Sequence, residues 1–568
     1  MTYENCTAFK GEEIMKTPKL EEMTLREKIG QTLIFNHSNL GKLENPKEYC
    51  RNNTIGSDWG CVQSKQNYKV IETELGNPNL EGRRDDMYIN FINYANKYLS
   101  VPSMPAIDAA QGIPKEKFEG HAGLPTAAGL GATRDPELAY RYAKCLGDDL
   151  YATGFRWIWS PVADNSGHYS DLRHLSSDTE MNCAMLKAFI KGMQEAGVAT
   201  GAKHFPGADP YEYRDSHFCT ASYAQSYEHW EKTQGREFMA CIEAGVDSIM
   251  VGHKTFKAVD DTRVNGALLP CTLSYKVVTE LIKGKLGFEG VVITDAITMK
   301  ALTAIYPYEK LYVECLRVGI DMILGPLDLD YIDIVERAVL SGDLPEERID
   351  DACRRVLKMK EKYGIFTEGE IPHPTPERRK EIEDNIHALS EEIVAKGLTL
   401  TANRTNMVPI SRYKIKKVKI IYIGYSKTVD DELRNYMVSE FEKHGATADY
   451  QTGLAWADLP GLNDYDLVVY ATYIGFHAPA GGPYFFGEEC QQIRMTMLEA
   501  VDKSVGVSFG STDIFFNYFT AAPTFVNCYS YTKEAIEGFV KGLYGDIEFT
   551  DYSPYPLNPI TRTNDVYD

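Results

Sequence analysis

From about residue 24 to residue 363, short apolar runs alternate with longer stretches whose apolar positions recur at helical spacing. Almost every run leads into a residue able to do chemistry. Thr32-Leu-Ile-Phe35 leads into Asn36 and His37, Met104-Pro-Ala-Ile107 into Asp108, and Phe155-Arg-Trp-Ile-Trp159 through Pro161 to Asp164. Val198-Ala-Thr-Gly-Ala202 leads into Lys203 and His204, Asp247-Ser-Ile-Met-Val251 into His253, and Gly290-Val-Val-Ile-Thr294 into Asp295. Met322-Ile-Leu324 ends at Gly325-Pro326. Between the runs the pattern predicts helices at about 87–98, 136–152, 178–196, 223–244, 274–285, 308–318 and 345–361. Repeated strand-helix units make a parallel sheet, since parallel neighbours need a crossover and a helix supplies it. The number of units fits a (β/α)8 TIM-like barrel, whose C-terminal strand ends would gather these Asp, Lys and His residues on one face. An open doubly wound sheet is the structural alternative.

The pattern breaks at Gly369-Glu-Ile-Pro-His-Pro-Thr-Pro376, where the proline spacing predicts a stiff linker over 364–385. Beyond it, Val418 to Gly424, Asp466 to Ala471 and Val505 to Phe509 read as buried strands, with helices near 429–444, 488–501 and 533–543. The division expected is therefore a barrel over 1–363, the linker, and a smaller C-terminal α/β sandwich domain over 386–568. No Gly-x-Gly-x-x-Gly fingerprint occurs in the second domain, and Gly481-Gly482-Pro483 is not set between a strand and a helix.

Composition narrows the function. A chain of 568 residues can bury a sizeable core and more than one domain. Its formal net charge of -21 would repel nucleic acid and anionic membranes, so neither is expected as a partner. The N-terminus carries acidic residues where a signal peptide needs an apolar core, and no run is long enough to span a bilayer, so a cytoplasmic location is expected. The 12 cysteines are scattered singly without a CxxC pair, which favours reduced, buried thiols.

The chemistry concentrates in Gly201 to His217, where an apolar run delivers Lys203 and His204, Pro206-Gly207 turn the chain, and a polar, aromatic loop brings Asp215 within two residues of His217. An imidazole oriented by a carboxylate exchanges protons near neutral pH, although the same spacing also occurs in solvated loops. Asp295, directly after its strand, suits a fixed nucleophile or, equally, the N-cap of a helix starting at Ala296. Lys203 could form a Schiff base with a carbonyl substrate, or hydrogen-bond substrate hydroxyls or a neighbouring carboxylate. Asp108, Asp164, His204 and His253 could contact a polar substrate or be satisfied rim residues. A metal site would need pairs such as His-x3-His or Glu-x2-His on a helix, and none is seen.

These motifs together resemble glycoside hydrolase family 3, in particular its bacterial exo-acting β-N-acetylglucosaminidases. Met23 to Gln31 is similar to the family's opening helix, Ala106 to Gly112 to its substrate-binding segment, and Lys203-His-Phe-Pro-Gly207 to a family hallmark. Asp215-Ser-His217 is similar to the acid/base loop, Leu286 to Met299 to the nucleophile segment, and Val507 to Gly510 with the Ala535 to Gly545 helix to the C-terminal sandwich. The resemblance implies a retaining mechanism with Asp295 as nucleophile, His217 as acid/base and Asp215 orienting it. It also implies sugar binding by Asp108, Arg173, Lys203 and His204, with His253 expected beside them, and no metal or organic cofactor. The implied partner is a small glycoside or a cell-wall-derived oligosaccharide; the oligomeric state is left open, a homodimer included. After Gly207 the chain departs from the family pattern, running Ala-Asp-Pro-Tyr-Glu-Tyr-Arg214 and making the loop longer and more aromatic. Phosphorolysis, an acid/base from the C-terminal domain and silent sugar binding are the alternatives.

Overall fold

The computed structural model describes residues 17–36, 46–59, 84–110, 123–164, 172–326, 330–424, 431–453, 456–474 and 500–565. Eight parallel strands form the first domain: β1 (Leu33–Asn36), β2 (Ser57–Trp59), β3 (Met104–Ile107), β4 (Trp157–Ile158), β5 (Ala199–Phe205), β6 (Ser248–Val251), β7 (Val291–Thr294) and β8 (Ile323–Leu324). Each pairs with its neighbour in sequence, β8 pairs with β1, and an isolated parallel bridge between Ile293 and Met322 closes the ring. The expected barrel is thus the observed one, and the open sheet is excluded by that closure.

Alternation along the strands sorts the core into two layers. Ile34, Ala106, Trp157, Trp159, Met250, Val291, Ile293, Met322 and Leu324 pack together inside the ring. Leu33, Phe35, Ile107, Ile158, Ile249, Val251 and Val292 face outward into the helices. Successive strand side chains must point to opposite sides, so uniformly apolar runs are what a sheet covered on both faces requires. Helix Glu346–Lys362 crosses the N-terminal end of the barrel, adding Val356 and Met359 to the interior. Its buried Lys360 donates to Gln31 Oε1 at 2.6 Å and to the Pro102 carbonyl at 2.7 Å, just before β1 and β3. One end is therefore plugged, and chemistry is left to the other.

Several predicted helices match closely, as at Pro136–Ala152 and Thr179–Glu195. The 223–244 helix is instead two, Tyr227–Lys232 and Gln234–Glu243, divided at Thr233, whose φ of -120° and ψ of -103° are not helical. The expected linker is only partly extended. Pro376 stands at the first helical position, where its missing N–H costs nothing, Thr375 caps it, and the helix runs on to Gly397. Ile382, Ile386, Leu389 and Ile393 of that helix join the barrel's core, whereas Val394 joins the second domain's.

In that second domain five parallel strands and one antiparallel edge strand form a sheet, β9 (Thr399–Asn403), β10 (Lys417–Gly424), β11 (Thr447–Thr452), β12 (Leu467–Tyr473), β13 (Ser504–Ser508) and β14 (Thr524–Asn527). Their spatial order is β9-β14-β13-β12-β10-β11, with separate apolar clusters on the two faces. This is the α/β sandwich expected. Gly481 to Pro483 and all but the last two positions of the helix predicted near 488–501 lie outside the described residues.

Candidate active site

At the C-terminal end of the barrel, the backbone of β5 sets the geometry. Its register against β6 shifts between Ala202 and Phe205, an irregularity that re-aims the residues between them. Lys203, with 1% of its side chain exposed, donates to Asp108 Oδ1 at 2.5 Å, directly beyond β3. His204 turns to Asp164 beyond β4: its backbone N–H donates to Oδ1 at 2.8 Å and Nδ1 lies 3.0 Å from Oδ2. A carboxylate accepts only, so Nδ1 carries hydrogen and Nε2 is the nitrogen not engaged by Asp164.

Electrostatics keep these acids ionised. Surrounding protein disfavours charge on Asp108, although 46% of its side chain is open to the cleft; Lys203, Arg173 and His204 more than offset this and lower its pKa. For Asp164 burial is likewise outweighed by His204 and Lys254, which hold it well below the usual range.

Asp295 directly follows β7, its N–H bonded to the Val251 carbonyl at 3.0 Å. Its carboxylate accepts from the Ala296 N–H at 2.7 Å but caps no helix, because the next one, Lys300–Thr303, has Met299 at its N-cap. The N-cap alternative is therefore not realised. Burial raises the Asp295 pKa, and His204, His253, the Ala296 N–H and Lys203 together lower it below the ordinary value.

His253 occupies a different place from the one expected. It is 1% exposed, with Nε2 3.0 Å from the Ala296 carbonyl and Nδ1 2.7 Å from the Thr272 hydroxyl. The carbonyl accepts only, so Nε2 carries the hydrogen and Nδ1 accepts from Thr272; burial lowers the pKa and keeps the ring neutral. Both nitrogens are committed to protein, so His253 braces the turn after Asp295 rather than meeting a sugar.

The loop from Gly207 to Gln225 carries Asp215 and His217. At Gly207, φ is 113° and an added Cβ would meet Gln234 Cγ at 2.5 Å, so only glycine fits the turn. Gln234 Nε2 donates to the Ala208 carbonyl at 3.0 Å, and buried Asp209 accepts from the N–H groups of Tyr211 (2.8 Å) and Ala224 (2.7 Å). Glu212 accepts from the Ser222 N–H at 2.9 Å and from Arg214. Asp215 Oδ1 lies 2.7 Å from His217 Nδ1 and accepts from the His217 N–H at 2.8 Å. The pair thus does touch, Nδ1 carries hydrogen, and Nε2 is the nitrogen left to exchange protons. His217 remains 63% exposed. The Asp215 hydrogen bond raises its pKa, partial desolvation opposes this, and Asp295 adds to the rise while Arg173 reduces it.

This loop is joined to the Asp295 segment, because Lys300 N–H donates to the His217 carbonyl (3.4 Å) and Ala301 N–H to that of Ser216 (3.3 Å). Arg173, from the segment after β4, acts on Asp108, Asp215 and His217 alike. The residues that hold the site, Asp209, Glu212, Gln234, Lys254 and Thr272, were not singled out in the sequence. Asp209-Pro210 carries a turn signal that could have found one of them; Thr272 has none.

Among the described residues no cluster of His, Cys, Asp and Glu could hold a metal ion, and no helix is long and apolar enough to cross a membrane. The nine described cysteines are free, most of them buried.

Comparison with known proteins agrees with this fold. The chain is 28% identical over 301 residues to a β-N-acetylglucosaminidase/β-glucosidase of Cellulomonas fimi, covering 51% of this chain and 53% of that protein. It is 26% identical over 461 residues to a lysosomal β-glucosidase of Dictyostelium discoideum, covering 74% of this chain and 52% of that one. The chain thus spans about half the length of both relatives. Among solved structures, a β-glucoside phosphorylase, BglX, superposes with a TM-score of 0.80 at 20% identity over 94% of each chain. A family 3 β-N-acetylglucosaminidase from a Paenibacillus species superposes with a TM-score of 0.76 at 23% identity, covering 94% of this chain and 99% of that one. The model for the glycosyl hydrolase family 3 N-terminal domain matches residues 24–359, more than half the chain, and with the barrel and its strand-end site already in place the protein belongs to glycosyl hydrolase family 3.

Proposed function

We propose that this protein is a retaining, exo-acting β-glycosidase that removes terminal N-acetylglucosamine or a related sugar from small glycosides or cell-wall fragments. The observation that carries the reading is the backbone tie between the Asp215–His217 loop and the turn after Asp295, which couples an oriented imidazole to an ionised strand-end carboxylate. In this mechanism an Asp295 oxygen attacks the anomeric carbon as the bond to the leaving oxygen breaks, and His217 Nε2 gives that oxygen its proton. A water then attacks the anomeric carbon, passes a proton back to His217, and frees Asp295. Lys203, Asp108, His204 and Arg173 bind ring hydroxyls, and the Lys203–Asp108 pair argues for binding over Schiff-base chemistry, since an ammonium held against a carboxylate is no nucleophile. A 2-deoxy-2-fluoro glycoside tests the reading. The expected result is stoichiometric labelling of Asp295; turnover with no label on Asp295 would sink it.

A second reading is favoured by the same dyad. A neutral imidazole after proton transfer does not repel an incoming anion as a carboxylate would, so phosphate could replace water and release sugar 1-phosphate. Product analysis with and without phosphate separates the two, and hydrolysis indifferent to phosphate excludes phosphorolysis.

A further inference from the structure

Arg173 is the one candidate sugar-binding residue that no barrel strand carries. It sits in the segment 172–177, which meets the barrel through a bridge from His174 to Val162, a bond from the Ala128 N–H to the Leu172 carbonyl at 3.1 Å and the burial of Leu175 in the barrel's core. The preceding Leu172 has a φ of 65°, a left-handed conformation that branched side chains seldom adopt and that surrounding structure must enforce. Much of that enforcement comes from the other domain. The Leu172 side chain is buried with Ala128, Ala132, Tyr529 and Tyr555. Immediately after Arg173, the Tyr555 hydroxyl donates to the His174 carbonyl at 2.5 Å, and the two rings meet edge to face at 6.3 Å. Ser177 N–H donates to the Pro554 carbonyl at 2.9 Å, and the Ser176 and Tyr552 hydroxyls lie 3.2 Å apart.

The C-terminal segment is itself anchored to the second domain's sheet. Thr399 of β9 donates from Oγ1 to the Tyr552 carbonyl at 2.8 Å, and the Leu400 N–H donates to Thr550 at 2.8 Å. The Arg134 guanidinium stacks over the Tyr552 ring at 4.5 Å, which fixes the same segment to the barrel.

We infer that residues 552–555 are a positioning strut for Arg173, with Tyr555 its principal member, so that the C-terminal domain acts on sugar affinity through Arg173. This rests on the proposed function for its kinetic consequence and not for its geometry. Without the Tyr555 hydroxyl the His174 carbonyl loses that bond and the backbone between Leu172 and His174 relaxes, which moves Arg173 relative to Asp108 and Asp215. Tyr555 is a positioning residue, since everything it does passes through another side chain.

The test uses the full chain carrying Tyr555→Phe, Arg173→Gln, or both. With an aryl β-N-acetylglucosaminide, Tyr555→Phe should raise KM about five-fold, the factor to which one net hydrogen bond converts, with kcat little changed. The second measurement is the NMR titration of the His217 imidazole, which faces Asp215, Asp295, Arg173 and His253. Moving the Arg173 cation away should raise that midpoint, a change that general loosening of the fold does not produce. In the Arg173→Gln background Tyr555→Phe should shift neither quantity further. An unshifted KM and midpoint in Tyr555→Phe, or additive effects in the double variant, overturns the strut. If the wild-type protein cleaves no β-glycoside, the functional reading fails by itself, and the His217 titration still decides the strut.

Discussion

The two halves of the site use the same interaction for opposite ends. At the strand ends, Lys203 and His204 meet carboxylates in the barrel's mouth, with 1% and 17% of their side chains exposed. On the loop, His217 meets Asp215 by an equally short contact yet leaves 63% of its side chain open. Among the buried groups, pairing fixes side chains in place, which in the proposed mechanism suits a surface that grips hydroxyls. In the open, pairing shifts the titration of His217, the group that exchanges protons in the proposed mechanism. Burial, and not the type of contact, separates the two halves.

Removing Asp295 should give the largest effect on either side of this division. Asp295→Ala is expected to lower kcat on the order of 10⁴-fold or more, as loss of a nucleophile does in other hydrolases. Activity near wild type on an aryl β-N-acetylglucosaminide ends its assignment to the chemistry. His217→Ala should cost about 10² to 10⁴-fold with a sugar leaving group, the usual worth of general acid catalysis. The loss should be far smaller with dinitrophenolate, which departs unprotonated. The melting temperature should stay put because the ring is exposed, and a large drop would erase the contrast between the halves.

Lys203→Met probes the buried half and should act on stability as well as on KM. Stranding Asp108 should cost roughly 2 to 3 kcal/mol in urea unfolding, less than a fully buried pair would, because the carboxylate is half open to water. Unchanged stability would mean that this pair is no more structural than the dyad.

Asp215→Asn sharpens the other half. The Asp215 hydrogen bond raises the His217 pKa in the folded protein. The imidazole must be protonated to act as acid, so activity is present below that pKa and lost as pH rises through it. Without the carboxylate, the basic limb of the kcat/KM profile should move to lower pH; a fixed limb would assign it to another group. The smallest effect is global. Folding lowers the pKa of Asp108, Asp164, Asp215 and Asp295, so their stabilisation is present above about pH 4 and lost as pH falls through the folded values. Thermal denaturation should show stability falling below about pH 4, and replacing Asp164 by Asn should flatten that fall.

Legibility followed burial too. Strands covered on both faces read as uniform apolar runs, so β3 and β7 and the residues beyond them were evident. β2 was not, because Ser57-Asp58-Trp59 is short and half polar, and only its neighbours make it a strand. The break at Thr233 and the helix running from Pro376 to Gly397 escaped notice because periodicity reports neither a local kink nor which core a helix joins. Reading His253 as a sugar contact followed from its strand-end position, which does not tell whether a side chain turns into the cleft or behind it.

The sequence by itself determined the repeated strand-helix units, the resemblance to the family, and the placing of Asp108, Lys203, His204 and Asp295 at strand ends, since a short, uniformly apolar run marks a buried strand and what immediately follows it; closure of the ring was decided by the fold. Tertiary structure alone decided that Asp215 and His217 touch, that Asp295 caps no helix, that His253 is a brace, and that Tyr555 bonds to the His174 carbonyl, 381 positions back along the chain. Those depend on contacts between distant segments, which local spacing does not encode.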